Sequence, residues 1–256
     1  MKEIADEIFF EEYAKPIPSS KPFPDFMVKD WFKAELDTYT ELMMDKVKHI
    51  YKLNKDDSEE NIKGYYGEAF VDNLQWVMLH RYFMYGEETN RSYSIINQYR
   101  KPKYSPRGGI DKYLTIIDEI GDTFNIGIEV KNWNKYYNYQ EIDFEEEILD
   151  RFKYCNPNDF KVLAITRFHI PEYKDICKEN GILILRLENC ITEKTSYKQM
   201  KYNIQMFLKD FNSLIEEIMY DKRATIKKLY KYGMKPEILA KVFGVSKRRI
   251  YQIIEE

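Results

Sequence analysis

Three side chains that could carry out hydrolytic chemistry lie close together in the chain: Asp111, Glu129 and Lys131. Two carboxylates of this kind can bind a hard divalent cation, and magnesium prefers such oxygen ligands. A lysine amine beside them can stabilise negative charge that develops on a reacting group. The residue types therefore predict a site for Mg²⁺, with Mn²⁺ as the alternative. The plain alternative is solvated charge on an exposed hairpin.

A β-hairpin is predicted to position these residues. The pattern gives one strand at 110–117, a turn at Gly121 and Asp122, and a second strand at 124–131. Strand periodicity places Glu129 and Lys131 on one face of the sheet. Antiparallel pairing brings Asp111, near the start of the first strand, beside Glu129, near the end of the second. Such a cluster is costly unless a cation neutralises it, because like charges repel and buried charges lose hydration.

The elements around the hairpin predict a layered α/β core. Helical spacing of apolar residues extends over 26–53 and 64–85, and an extended stretch follows at 93–99. After the hairpin come a helix at 142–154, a strand at 161–166, a helix at 171–179 and an apolar strand at 182–187. Hairpin strands pair antiparallel and helix-linked strands pair parallel, so we expect a mixed sheet flanked by helices.

At these residues the sequence resembles the PD-(D/E)XK nuclease superfamily. The motif is present as Gly109-Ile110-Asp111 and Ile128-Glu129-Val130-Lys131, with Glu68 upstream on a helix; the motif's proline is absent. The resemblance covers about 64–187, and the stretch 107–111 is similar to archaeal Holliday-junction resolvases. It implies a restriction endonuclease-like fold and hydrolysis of phosphodiester bonds that leaves a 5′-phosphate.

The resemblance also implies a role for each motif residue. Asp111 and Glu129 would bind the metal, assisted by the backbone carbonyl of Val130, and Glu68 would contribute directly or through water. Lys131 would position or activate the attacking water. Glu87 and Glu88 are alternatives to Glu68, and Gln140 is a further candidate that would orient water or phosphate.

A basic loop precedes the hairpin. Its cations are interleaved with tyrosines and could hold the DNA backbone beside the metal site, although basic loops often serve only solubility. The cations are Arg100, Lys101, Lys103 and Arg107.

The C-terminal stretch predicts a helix-turn-helix module. Helical segments at 225–232, 236–243 and 246–255 are separated by Gly233 and Gly244, and from residue 221 onward ten cationic side chains face four acidic ones. Ser246 can cap the last helix and leave its polar face free for DNA. The predicted DNA-binding residues of this helix are Lys247, Arg248, Arg249, Tyr251 and Gln252. A bundle for subunit contacts would show the same apolar positions.

The chain has 256 residues, a net charge of −3, three histidines and three widely spaced cysteines. These residues are too few and too widely spaced to indicate a histidine-rich metal site, a zinc site or a disulfide framework. Apolar runs are too short to span a membrane, so we expect a cytoplasmic protein with no membrane partner. The predicted organisation is an N-terminal extension (1–60), a nuclease core (61–192), a connecting helix (193–220), which serves packing or dimerisation, and the helix-turn-helix module (221–256).

The favoured function is that of a Mg²⁺-dependent DNA endonuclease, and we expect a homodimer because paired nicks need two active sites. Two alternatives stay open at this point. One is a DNA-binding regulator or architectural protein on a nuclease-like fold without turnover, and the other is an RNA-processing nuclease.

Overall fold

The computed structural model describes residues 30–73, 94–97, 109–117, 123–134, 144–153, 155, 159–220, 222–231 and 233–255. The elements in chain order are α1 (Asp30–Leu53), α2 (59–73), β1 (Ser94–Asn97), β2 (Lys112–Ile117), β3 (Thr123–Lys131), α3 (144–152), β4 (Phe160–Thr166), α4 (Ile170–Glu179), β5 (Ile182–Leu187), α5 (Tyr197–Tyr220), α6 (Lys222–Lys231), α7 (Pro236–Val242) and α8 (Lys247–Glu255). Within α3, Glu145–Leu149 form a π-helical turn, and a short 3₁₀ turn, Arg167–His169, joins β4 to α4.

The sheet has five strands in the order β1-β2-β3-β4-β5. The first three strands pair antiparallel, and β3, β4 and β5 pair parallel, which confirms the predicted mixed sheet. Strand β2 begins at Lys112, so Asp111 lies just before the strand and not inside it as predicted. The physical reason is that the Asp111 side chain itself accepts a hydrogen bond from the Val130 N–H of β3.

Two apolar layers cover the sheet. On one face, α1, α2 and α5 pack over Leu114, Ile126 and Ile128, with fully buried Phe70 and Phe207 meeting edge to face. On the other face, α3 and α4 pack over a second cluster that lines β4. A sheet covered on both faces requires nearly continuous apolar strands, and β4 and β5 have that composition.

Helices α1 and α5 contribute to the same core as the sheet. The apolar stripe of α5, which the sequence offered as a packing or dimer surface, is used for packing: Ile204, Phe207 and Phe211 are buried with Phe32 and Leu36 of α1. A buried side chain is not available to a second subunit, so this stripe of α5 offers no dimer surface. The homodimer stays a prediction.

The three C-terminal helices form a small bundle with its own interior. Buried Leu239, Ile250 and Ile253 pack together, as the helix-turn-helix pattern predicts. Gly244, between α7 and α8, has a φ of 62°, a backbone conformation that residues other than glycine rarely adopt. The Ser246 hydroxyl accepts a hydrogen bond from the Arg249 N–H at 3.2 Å and so caps α8.

This bundle is packed against the sheet at the amino ends of β4 and β5. Phe243 meets Phe160, the first residue of β4, edge to face, with the ring centroids 5.4 Å apart. Ile238 of α7 lies directly against Gly181, which precedes β5. Leu183 of β5 packs on both the main core and the bundle interior. In the described part of the chain no helix is both long and apolar enough to cross a membrane.

Candidate active site

The end of the β2–β3 hairpin brings Asp111, Glu129 and Lys131 together. One carboxylate oxygen of Asp111 accepts a hydrogen bond from the Val130 N–H at 2.8 Å, which fixes it beside the neighbouring Glu129. The Lys131 amine lies 3.0 Å from Oε1 of Glu129. Both side chains are buried, with Glu129 only 2% exposed and Lys131 9%. The predicted neighbour relation and the shared face are confirmed.

Helix α2 forms a second wall and carries Glu68. It approaches β3 very closely, since a Cβ on Gly67 would lie 2.6 Å from the Cβ of Asn132 and 3.1 Å from a methyl of Val130. Only glycine permits this approach, and it places Glu68 at the same cavity as Asp111. One turn later Asp72 binds the Lys112 amine at 2.6 Å and ties the helix to the hairpin.

Asn132, directly after β3, is a structural residue. Its amide nitrogen donates to the carbonyls of Lys63 at 2.9 Å and Ile191 at 2.8 Å, and its carbonyl oxygen accepts from the Ile191 N–H at 2.8 Å. The side chain is therefore occupied in joining α2, β3 and the segment after β5. The adjoining Trp133 stands edge-on to His169, and its ring lies 5.8 Å from the Lys131 amine.

Helix α3 supplies a third wall with two charged residues that sequence reasoning missed. Glu147 and Arg151 both line the cavity. The Glu147 carboxylate is 3.7 Å from the Lys131 amine, and Nε of Arg151 is 3.9 Å from Oε1 of Glu129. The available signal was their spacing of four on the helix that follows the Glu-x-Lys strand.

These walls enclose a cavity of about 320 Å³. Burial, and next the charge of Asp111, raises the pKa of Glu129 to about 8 and that of Glu68 to about 7. Burial also raises the pKa of Asp111, while its hydrogen bond from Val130 and the nearby Lys131 oppose the rise. Three acids that all resist ionisation around one cavity mark a place where added positive charge would be stabilised.

A divalent cation fits the donor chemistry of this cavity. Oε2 of Glu129 is buried and has no hydrogen-bond partner in the described structure. Magnesium is commonly held by one or two carboxylates together with water and substrate phosphate. Among the described residues, no group of three or more His, Cys, Asp or Glu side chains is arranged to hold a metal ion. Asp111 and Glu129 would be the carboxylates that hold a cation here, and ligation by them, by Glu68 or by the Val130 carbonyl stays a prediction.

Several predicted site residues lie outside the described residues. They are Gln140 and the basic-loop cations Arg100, Lys101, Lys103 and Arg107, together with the alternative glutamates Glu87 and Glu88.

Four of the five predicted DNA-binding residues of α8 are exposed, and the fifth, Arg249, is half-buried. Lys247 forms an ion pair with Glu237 of α7, and its amine lies 5.9 Å from the ring of Tyr251. Arg249 donates to the side-chain oxygen of Gln252 at 3.3 Å. These side chains thus form a polar surface on the bundle, separate from the cavity.

Comparison with known proteins gave no match to a family model, to a curated protein or to a solved structure. The likeness to the PD-(D/E)XK superfamily therefore stays a prediction carried by the motif residues.

Proposed function

We propose that this protein is a Mg²⁺-dependent DNA endonuclease with a restriction endonuclease-like core and a helix-turn-helix module that binds DNA. The observation that carries the proposal is the half-buried Asp111 beside the buried Glu129, with the Lys131 amine 3.0 Å from Glu129, at an open cavity. A buried Glu129 beside a second acid, with a carboxylate oxygen that has no hydrogen-bond partner among the described residues, is unfavourable without a cation.

The residues divide the work of hydrolysis. Asp111 and Glu129 would hold the cation, which when bound stabilises the charge that develops on the phosphodiester oxygens. The Lys131 amine donates hydrogen bonds to the attacking water or to a non-bridging oxygen. Water oxygen bonds to phosphorus as the P–O3′ bond breaks, and the water's protons end on the 3′-hydroxyl and in solvent. The products are a 5′-phosphate and a 3′-hydroxyl.

The C-terminal bundle supports DNA as the substrate. Ten cations against four acids from residue 221 onward give this segment a local charge of +6, although the whole chain is at −3. Local cation density, not total charge, drives binding to the phosphate backbone. A capped helix with an exposed polar face, following a tight turn at Gly244, suits entry into a major groove.

The deciding experiment is a cleavage assay on linear, supercoiled and four-way-junction DNA, with and without Mg²⁺. It compares the wild-type chain with Glu129→Gln, Lys131→Ala and the control Glu146→Gln, an exposed glutamate of α3. We expect cleavage only with the cation, loss of cleavage in the first two variants, and full cleavage in the control. Mapping of the product ends should give 5′-phosphates.

The alternatives give different results in the same assay. A DNA-binding regulator without turnover would bind DNA and leave every substrate intact with Mg²⁺ or Mn²⁺. An RNA-processing nuclease would cut a matched RNA duplex and spare DNA, with the same dependence on Glu129 and Lys131. Equal cleavage by wild type and both cavity variants would refute the site itself.

A further inference from the structure

Helix α3 places the positively charged side chain of Arg151 at the cavity, beside Lys131. The geometry of this helix is unusual. Residues Glu145–Leu149 form a π-helical turn that runs directly into Asp150–Phe152. Such turns are rare, and they occur frequently at functional sites because they change the direction of the side chains that follow. In this helix the altered turn leaves Ile148 and Phe152 fully packed in the core while Glu147 and Arg151 both line the cavity.

Arg151 lies further from Glu129 than Lys131 does. The Lys131 amine already lies 3.0 Å from Oε1 of Glu129, and Nε of Arg151 is 3.9 Å from that same oxygen. The longer separation exceeds a hydrogen bond. The Arg151 side chain is also more exposed, at 22% against 10% for Lys131, so it lies closer to the cavity mouth.

We propose that Arg151 binds the phosphodiester that is being cut, as a second phosphate ligand beside Lys131. This inference rests on the proposed nuclease function. A guanidinium presents its N–H groups in a planar fork that matches two oxygens of one phosphate, whereas a lysine amine acts as a point charge. The two cations converge on Oε1 of Glu129 from different walls, so an incoming phosphate at that point meets both. Glu147, 3.7 Å from the Lys131 amine, keeps that amine directed into the cavity.

The test compares Arg151→Gln and Arg151→Lys with the control Lys153→Gln, which removes an exposed cation of the same segment that does not line the cavity. The first measurement is the kcat and KM of DNA cleavage. We expect Arg151→Gln to lower kcat/KM about 100-fold, as loss of one donor to a developing charge does. Arg151→Lys should recover about tenfold of that loss, because it keeps the charge without the fork. The control should match wild type.

The second measurement is duplex binding in chelator, followed by fluorescence anisotropy at several salt concentrations. Loss of one phosphate contact should reduce the slope of log Kd against log salt by about 0.9 in Arg151→Gln and leave the control unchanged. An unchanged slope overturns the proposal even if activity falls, because a merely structural arginine would not alter the number of phosphate contacts. Wild type that binds DNA without cleaving it would refute the nuclease function, and the slope comparison would still decide the role of Arg151.

Discussion

Replacing Glu129 with glutamine should make the metal-free protein more stable. The carboxylate is almost fully buried, one of its oxygens has no hydrogen-bond partner among the described residues, and it lies beside a second acid, the half-buried Asp111. Glutamine has the same shape and can still accept a hydrogen bond from Lys131, but it carries no charge. The substitution therefore removes the cost of burying a charge and keeps the packing.

The size and sign of the effect follow from the pKa of Glu129, which is raised from 4.5 to about 8. At about 1.4 kcal/mol for each pKa unit, this difference sets an upper bound of about 5 kcal/mol on the destabilisation. The raised pKa already includes the attraction of Glu129 to Lys131 and Arg151. Because the amide group of glutamine brings a donor that must find a partner in this buried position, we expect a net gain of about 2 kcal/mol. An acid with a raised pKa in the folded state favours folding at low pH, and this contribution is lost as pH rises from about 4.5 to about 8. The gain from the substitution should therefore be near zero at about pH 5 and full above about pH 8.

Urea unfolding in chelator, at about pH 5 and about pH 8.5, measures both quantities. The matched control is Glu146→Gln, an exposed glutamate of α3, which should change the free energy of unfolding by less than about 0.5 kcal/mol at either pH. A Glu129→Gln variant that is less stable than wild type at the higher pH would show that the buried acid pair is satisfied within the chain. The case for a cation would then lose its physical basis.

Three further outcomes follow from the same geometry. Mg²⁺ should raise the melting temperature of the wild-type chain by several degrees and leave Glu129→Gln unchanged, because a ligand that binds only the folded state stabilises it; scanning fluorimetry over a magnesium titration measures both. Gly67→Ala should cost about 2 kcal/mol in urea unfolding and reduce cleavage, since its Cβ would lie 2.6 Å from that of Asn132. Gly64→Ala, in the same helix with open space around it, should instead gain up to about 1 kcal/mol, and equal effects of the two substitutions would contradict the close approach. Arg248→Ala should weaken duplex binding about tenfold with a smaller salt slope, and unchanged anisotropy curves would place DNA recognition away from α8.

The sequence was sufficient for the features that depend on local pattern. Strand β5 spans the predicted 182–187, because an apolar run broken only by Arg186, between Gly181 and a polar segment, leaves little choice of boundaries. The closeness of Asp111 to Glu129 also followed from pattern, since the hairpin register, in which Lys112 pairs with Ile128, brings the residue before β2 beside the end of β3.

Features that depend on tertiary contacts were not visible in the sequence. Asn132 reads as a loop amide, and its role as a joint between three segments depends on carbonyls of Lys63 and Ile191, far away in the chain. Arg151 has the sequence context of an ordinary charge on an acidic helix, and its place at the cavity becomes visible only once that helix packs beside Glu129.

The position of the C-terminal bundle has a consequence for where incision falls. The bundle meets the sheet at Phe160, whereas Lys131 pairs with Ile165, five residues further along the parallel strands. At about 3.3 Å per residue, the contact with the bundle and the Lys131 end of the cavity lie about 16 Å apart along the strands, the length of about five base pairs. If α8 reads bases, the scissile bond of the same subunit falls outside the bases that are read. The length of the strands would then set the distance between the recognised bases and the bond that is cut.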